Sequence, residues 1–225
     1  MATTTINVTS TGYKTVKDES TALTQRSVLK FAGSGVSAAD SGGETVVTIP
    51  GLPSTNSYGL FAQTANSTTI TATTSELTLI DGGVGSLSVP ANGFSVGDSF
   101  RADMGGVMSA QNNNTIRIRL KSGSVDLGDS GPLTMPAITN QVWMLTVNFT
   151  VRSIGAAGVA SVVALAQFHI LKLASGTQQG FAWNTVNSTT FDTTISNTLN
   201  ITAQFSSNNA NNSIYSDIFV LNKIY

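Results

Sequence analysis

The sequence predicts an all-β protein, an antiparallel β-sandwich, and three observations carry that prediction. First, several stretches alternate apolar and polar residues with the period of two that turns one face of a strand to a core and the other to water. In WMLTVNFTVR, Trp143, Leu145, Val147, Phe149 and Val151 share one face, while Met144, Thr146, Asn148, Thr150 and Arg152 share the other. Second, turn chemistry recurs at short intervals, as in Asp81-Gly82-Gly83, Asn92-Gly93, Asp129-Ser130-Gly131-Pro132 and the polar tract from Asn208 to Asn212. Third, no segment of about twelve residues or more shows a helical period with caps.

In chain order, residues 1–26 read as a polar N-terminal arm, and KDESTALTQRSV, residues 17–28, is the helix candidate. SVLKFAGSGVSAADSGGETVVTIPG, residues 27–51, reads as two short strands around a Gly/Ser turn with a proline stop. A lone hairpin is marginal in water, and a leading piece of about fifty residues is marginal even with a good core. Its large apolar residues are few, chiefly Leu23, Leu29, Phe31, Val36, Val46, Val47 and Ile49. The hairpin is therefore expected to pack against copies of itself about a threefold axis, through Leu29, Phe31, Val47 and Ile49. Docking onto its own body is the alternative. GLPSTNSYG, residues 51–59, has the composition of a linker, so 27–58 is read as a hairpin trimerisation segment with linker and 59–225 as the sandwich.

Within the sandwich the strand candidates are STTITA near Ile70, ELTLI around Leu79, SLSVP before Pro90 and DSFRADMGGVMSA from Asp98. TIRIRLK follows, with Ile116, Ile118 and Leu120 opposing a wet face of Arg117, Arg119 and Lys121. After WMLTVNFTVR come SVVALAQFHILKLA from Ser161, TTFDTTI near Phe191, LNITAQF with Leu199, Ile201, Ala203 and Phe205 inward, and the closing SIYSDIFVLNKIY. The apolar run IGAAGVASVVALA, residues 154–166, is shorter than the roughly 20 residues that span a bilayer and reads as a strand pair turning at Gly155-Ala156-Ala157-Gly158. Jelly roll is the preferred topology, although spacing alone does not separate it from other Greek-key sandwiches. The closing strand has more apolar residues than one face needs, so a neighbouring subunit is expected to cover the second face. Tyr215, Phe219 and Tyr225 are its subunit-contact candidates.

Composition narrows the function classes. Charged residues make up 10% of the 225, against roughly 25% in an ordinary domain, while hydrophobic residues make up 40%. Such a weakly charged, Thr- and Asn-coated β protein leans towards sharing apolar surface between subunits. The formal net charge is -1 and Lys and Arg form no run, so nucleic acid, which needs a concentrated basic footprint, is not an expected partner. The absence of cysteine removes disulfide frameworks, thiol catalysis and Cys-ligated zinc. MATTTINVTSTGYK lacks a basic region followed by an apolar one, so no secretory signal is expected, nor any membrane insertion.

The run LTQRSVLKFAGSGVSAADSGGETVVTIPG resembles the β-hairpin modules near the N-terminus of bacteriophage tail and head fibre proteins. Arg26, Leu29, Phe31, Gly33, Gly35, Val36, Thr45, Val47 and Ile49 carry that resemblance. The region from Leu60 to Tyr225, with FAQTANSTTITATTSELTLI at its start, NFTVRSIGAAG in its middle and SIYSDIFVLNKIY at its end, is similar to jelly-roll domains that close viral fibres and spikes. The resemblance implies a jelly-roll (TNF-like) head and a homotrimeric virion component, assembled in the host cytoplasm. Its expected partners are itself, other virion proteins through the N-terminal segment, and a host-surface glycan or protein. A capsid decoration or head-fibre protein without a receptor, and a monomeric carbohydrate-binding module, stand as alternatives.

Candidate chemistry is sparse. His169 is the sole histidine, and a Ser-His-Asp arrangement needs a carboxylate to orient the imidazole beside an activated serine; a packed or hydrogen-bonded strand residue is the expected role. Asp126, Asp129 and Asp81 match no established glycosidase or calcium spacing and read as turn formers. No catalytic residue, cofactor or metal is expected. For recognition, Trp183, Phe181 and Gln179 read as a loop-like stretch, in which an exposed aromatic ring can stack on a sugar and an amide can bond its hydroxyls; sealing a sandwich edge is the alternative for Trp183. The tracts 112–114 and 208–212 read as surface turns.

Overall fold

The computed structural model describes residues 60–172 and 176–225, and nearer the N-terminus the backbone of four short strands. The chain forms two compact units, Met1–Leu52 and Pro53–Tyr225. In the first, β1 (Lys17–Asp18) pairs antiparallel with β2 (Thr21–Ala22), and β3 (Ser37–Ser41) with β4 (Glu44–Thr48). The expected helix over 17–28 gives way to strand pairing at those four residues. KDEST offers no apolar stripe for a helix to bury, and its Ser and Thr hydroxyls compete for backbone groups. In the second hairpin Ser41 faces Glu44. Leu29, Phe31 and Ile49 lie outside the described residues, and of Val47 only its pairing with Ala38 is described.

The second unit contains β5 (Leu60–Gln63), β6 (Ile70–Thr71), β7 (Leu77–Thr78), β8 (Gly83–Ser86), β9 (Ser88–Val89), β10 (Ser99–Ala110) and β11 (Thr115–Ser122). It continues with β12 (Val125–Asp129), β13 (Leu133–Thr134), β14 (Ile138–Ser153), β15 (Ser161–Leu171), β16 (Gln178–Asn187), β17 (Asn197–Phe205) and β18 (Ser213–Lys223). These form two antiparallel sheets. The large one runs β16-β15-β14-β10-β18-β5-β8 with β6 also on β18; the small one runs β12-β11-β17-β7, with β13 on β11 and β9 on β17. The chain passes from the large sheet to the small between β10 and β11, returns at β14, crosses again at β17 and returns at β18.

The alternation read from the sequence is the packing pattern. Trp143, Leu145, Val147, Phe149 and Val151 of β14 are buried, as are Ile116, Ile118 and Leu120 of β11 and Leu199, Ile201, Ala203 and Phe205 of β17. These inner faces interleave into one core, in which Phe100 stacks on Phe149 with centroids 4.8 Å apart. Where the sheets close at one side, Thr185 Oγ1 of β16 accepts from the Asp129 backbone N–H of β12 at 3.1 Å. Two expectations fail locally. TTFDTTI is no strand: Asn187 Oδ1 accepts from the backbone N–H groups of Thr189, Thr190 and Phe191, an amide clamp that turns the chain and sets Phe191 into the core. The stretch around Trp183 is the opposite case, strand β16 and not a loop.

The outer face of the small sheet is less wet than its pattern implies. Arg119 is only 7% exposed, because Glu76, Lys121 and Asp126 close over it. Arg119 Nη1 lies 3.0 Å from Glu76, and Lys121 Nζ lies 3.0 Å from Glu76 and 3.3 Å from Asp126. Arg117 Nε donates to Asp129 at 2.7 Å. Asp126 and Asp129 are therefore strand ion-pair partners, whereas Asp81, accepting from Gly82 N–H at 2.7 Å, is the turn former expected. Burial pushes the Glu76 carboxyl up, but hydrogen bonds from Thr202 and Lys121 and the charges of Arg119 and Lys121 outweigh it and hold it below the ordinary value; the Arg117 hydrogen bond does the same for Asp129. Both carboxylates are depressed on folding, so their stabilisation is complete above the ordinary carboxylate range and is lost as pH falls through and below about 4. Thermal denaturation is expected to show Tm falling across that window, with a smaller fall in Glu76→Gln; an equal fall in both proteins excludes Glu76 from the effect.

Candidate functional site

Two surfaces of the sandwich stand out. The first is the outer face of the large sheet. Register places Ile218 opposite Gly105, Gly105 opposite Met144, Met144 opposite His169 and His169 opposite Gly180. Gly105 stands between Ile218 and Met144 in this row, and the result is a trench. A groove of about 410 Å³ lies over Gly105 and Gly106, walled by Val142, Met144, Ile218 and Val220. Met144 is 64%, Ile218 58% and Val142 53% exposed. Beyond Met144 the His169 ring lies against Gly180, where an added Cβ would be 3.0 Å from Nδ1. The lining there, Val142, Met144, His169, Ile170, Leu171 and Gln178, supplies no carboxylate to orient the imidazole.

A β-bulge decides which closing-strand residues reach this face. Gly105 pairs with Ile218 but Gly106 with Ser216, so Asp217 is the extra residue, and the parity of β18 reverses there. Tyr215 is half-buried beside Val107. Phe219, expected at a subunit contact, is 2% exposed in the core of its own chain, 5.9 Å from Phe61 between ring centroids. The outward position belongs to Ile218. Tyr225 is exposed, beside Gly97. The Gly105-Gly106 pair in DMGGVM was the legible sign, since glycine inside a strand marks a bulge or a close approach.

The second surface is one end of the sandwich. The described sandwich begins at Leu60, which lies alongside the Lys223 end of β18, and β10 carries the fold away from there for twelve residues, about 40 Å. At the far end, the segments 111–114 and 130–137 meet the start of β16, and the loop 206–212 packs on 111–114. Gln179 and Phe181 line a groove of about 500 Å³ here with Asn112, Asn113, Pro132 and Lys172. A second groove of about 640 Å³ shares Asn112 and is lined by Gln111, Thr139, Asn140, Asn211 and Ser213. Trp183 lines neither. It lies half-buried against the core on the inward side of β16, sealing the sandwich edge. Of the asparagine tracts that read as plain turns, 112–114 is thus brought to Gln179 and Phe181 and 208–212 to Asn112 and Asn140, by the crossing of strands between sheets, which local sequence does not display.

Among the described residues no group of three or more His, Cys, Asp or Glu is placed to hold a metal ion, and no helix is long and apolar enough to cross a membrane. Comparison with protein-family models, with curated proteins and with solved structures finds no match.

Proposed function

We propose that this chain is a homotrimeric structural protein of a virus particle, a bacteriophage-type fibre, spike or tail appendage whose sandwich serves as a host-attachment head. The observation that carries the reading is the trench on the large sheet: three large apolar side chains, more than half exposed, standing together on a weakly charged protein. Such a patch is costly to leave in water and is stabilised by burial against a like surface. Self-association about a closed axis is the economical solution. The strand order supports a jelly-roll head, since the chain crosses repeatedly between the two sheets, β10 to β11, β12 to β14, β16 to β17 and β17 to β18, as Greek keys do. The threefold number and the virion setting come from the N-terminal resemblance, and the N-terminal segment is assigned to other virion proteins.

The test is the mass of the undenatured protein. A three-copy mass is expected at micromolar concentration, and the double substitution Met144→Asp with Ile218→Asp is expected to give one copy with its fold intact. These side chains contribute nothing to their own core, so loss of assembly without loss of the thermal transition separates contact from folding. A wild-type chain found as a single copy overturns the proposal.

A further inference from the structure

The far end of the sandwich carries chemistry that the apolar sheet face does not. We infer that the two grooves there, which share Asn112 in their linings, bind an oligosaccharide, and that Lys172 gives the site a preference for one bearing a carboxylate. The inference deepens the head reading above and rests on it for its biological use, while its chemistry stands on the grooves themselves.

Three features point to sugar. The first groove takes apolar lining from Pro132, Pro136 and the half-buried Phe181, which stacks on Phe168 behind it, the kind of surface that the C–H face of a pyranose packs against. Around it stand the amides of Asn112, Asn113 and Gln179. Each primary amide both donates and accepts, as does each sugar hydroxyl, so a hydroxyl-rich ligand leaves neither partner unpaired, whereas an apolar ligand strands them all. The second groove continues the same chemistry in amides and hydroxyls without a charged group. Two neighbouring grooves with Asn112 in both linings suit a chain of sugars better than one ring. Neither lining contains a carboxylate, and Lys172 is the single charge.

The loops are also built to hold still. Asn113 sits at φ 62° and Asn140 at φ 50°, left-handed positions that asparagine tolerates better than most residues. Asn113 N–H donates to Met135 O at 3.0 Å and Met135 N–H returns to Asn114 O at 2.8 Å, which ties the 111–114 loop to the loop carrying Pro132 and Pro136. Asn114 Oδ1 accepts from the hydroxyls of Ser206 and Ser207. The fully buried Asn212 accepts from Gln111 N–H at 2.9 Å. A preordered lining loses less entropy on binding than a mobile one.

The experiment measures retention of the whole chain on immobilised oligosaccharides, half of them neutral and half containing uronic acids. Retention on the acidic members is expected, weakened at least tenfold by Asn112→Ala and by Gln179→Ala, with the acidic preference erased by Lys172→Gln. The first two side chains lie outside the core, and an unchanged thermal transition confirms that the variants fold. No retention on any member overturns the inference, as does retention unaffected by Asn112→Ala and Gln179→Ala. A preference indifferent to Lys172→Gln overturns the part assigned to that residue. Masses of the same samples separate the two proposals: a single-copy mass with retention intact sinks the assembly reading and supports this one.

Discussion

Deleting residues 220–225 is expected to unfold the sandwich outright. Val220 and Leu221 lie between β10 and β5, pairing with Asp103 and Ala102 on one side and with Ala62 and Phe61 on the other. Without them β5, and β8 beyond it, lose their attachment to the large sheet at that end. Leu221 is 2% exposed, and removing a buried leucine side chain alone costs about 2–5 kcal/mol. Lys223 Nζ lies 2.9 Å from Asp98 Oδ1, which is itself buried, and a buried carboxylate stripped of its cation costs about 3–5 kcal/mol more. Ser99 loses its backbone bonds to Ile224 and Tyr225 as well. Those losses together approach the whole stability of an ordinary domain, about 5–15 kcal/mol. Thermal denaturation followed by circular dichroism is expected to show no cooperative transition in the truncated chain. Tyr225→Ser provides the contrast, because this side chain is exposed and its ladder bonds are made by the backbone; its transition is expected to stay within a few degrees of wild type. A truncated chain that melts cooperatively contradicts this account of β18.

What the sequence displays and what it hides divide along the range of the interaction. Alternation in β11, β14 and β17 is a local property, and each inward residue named from it is buried. Arg119 shares the outward parity of β11, yet its burial depends on Glu76 and Asp126, one of them more than forty residues away in the chain. Phe219 illustrates a different failure. Its neighbours alternate correctly, but one extra residue at Asp217 reverses the parity beyond it, so the residue expected outside lies inside and Ile218 takes its place. The far-end grooves were hidden for a third reason: Asn112 belongs to the turn between β10 and β11 while Gln179 and Phe181 belong to β16, and only the fold makes that turn and that strand neighbours. Of these, the bulge alone left a local trace, the glycine pair at its partner strand.

That pair yields the second large effect: Gly106→Ala is expected to cost about 3 kcal/mol or more, at the upper end of what overpacking does. A methyl group at Gly106 would overlap the Tyr215 carbonyl oxygen and approach Ser216 Cα and Asp217 Oδ1 to 2.8 Å. The oxygen and Cα belong to the backbone of the bulge, which cannot yield by a rotamer change. The same Tyr215 carbonyl accepts from the buried Trp143 Nε1–H at 3.1 Å, so displacing it strains a second strand. Gly105→Ala is the control from the next position. Its methyl would sit 3.1 Å from Trp143 O but otherwise in ordinary contact with Ile218 and Met144, filling the trench floor, and about 1 kcal/mol is expected by the same overpacking argument. Urea denaturation measures both. If the bulge sets the parity of β18, Gly106→Ala loses far more stability than Gly105→Ala, whereas Gly105→Ala keeps the fold and weakens association by raising the trench floor. Equal, small losses at both positions would mean that β18 slides freely over β10, and the burial of Phe219 would then need another cause.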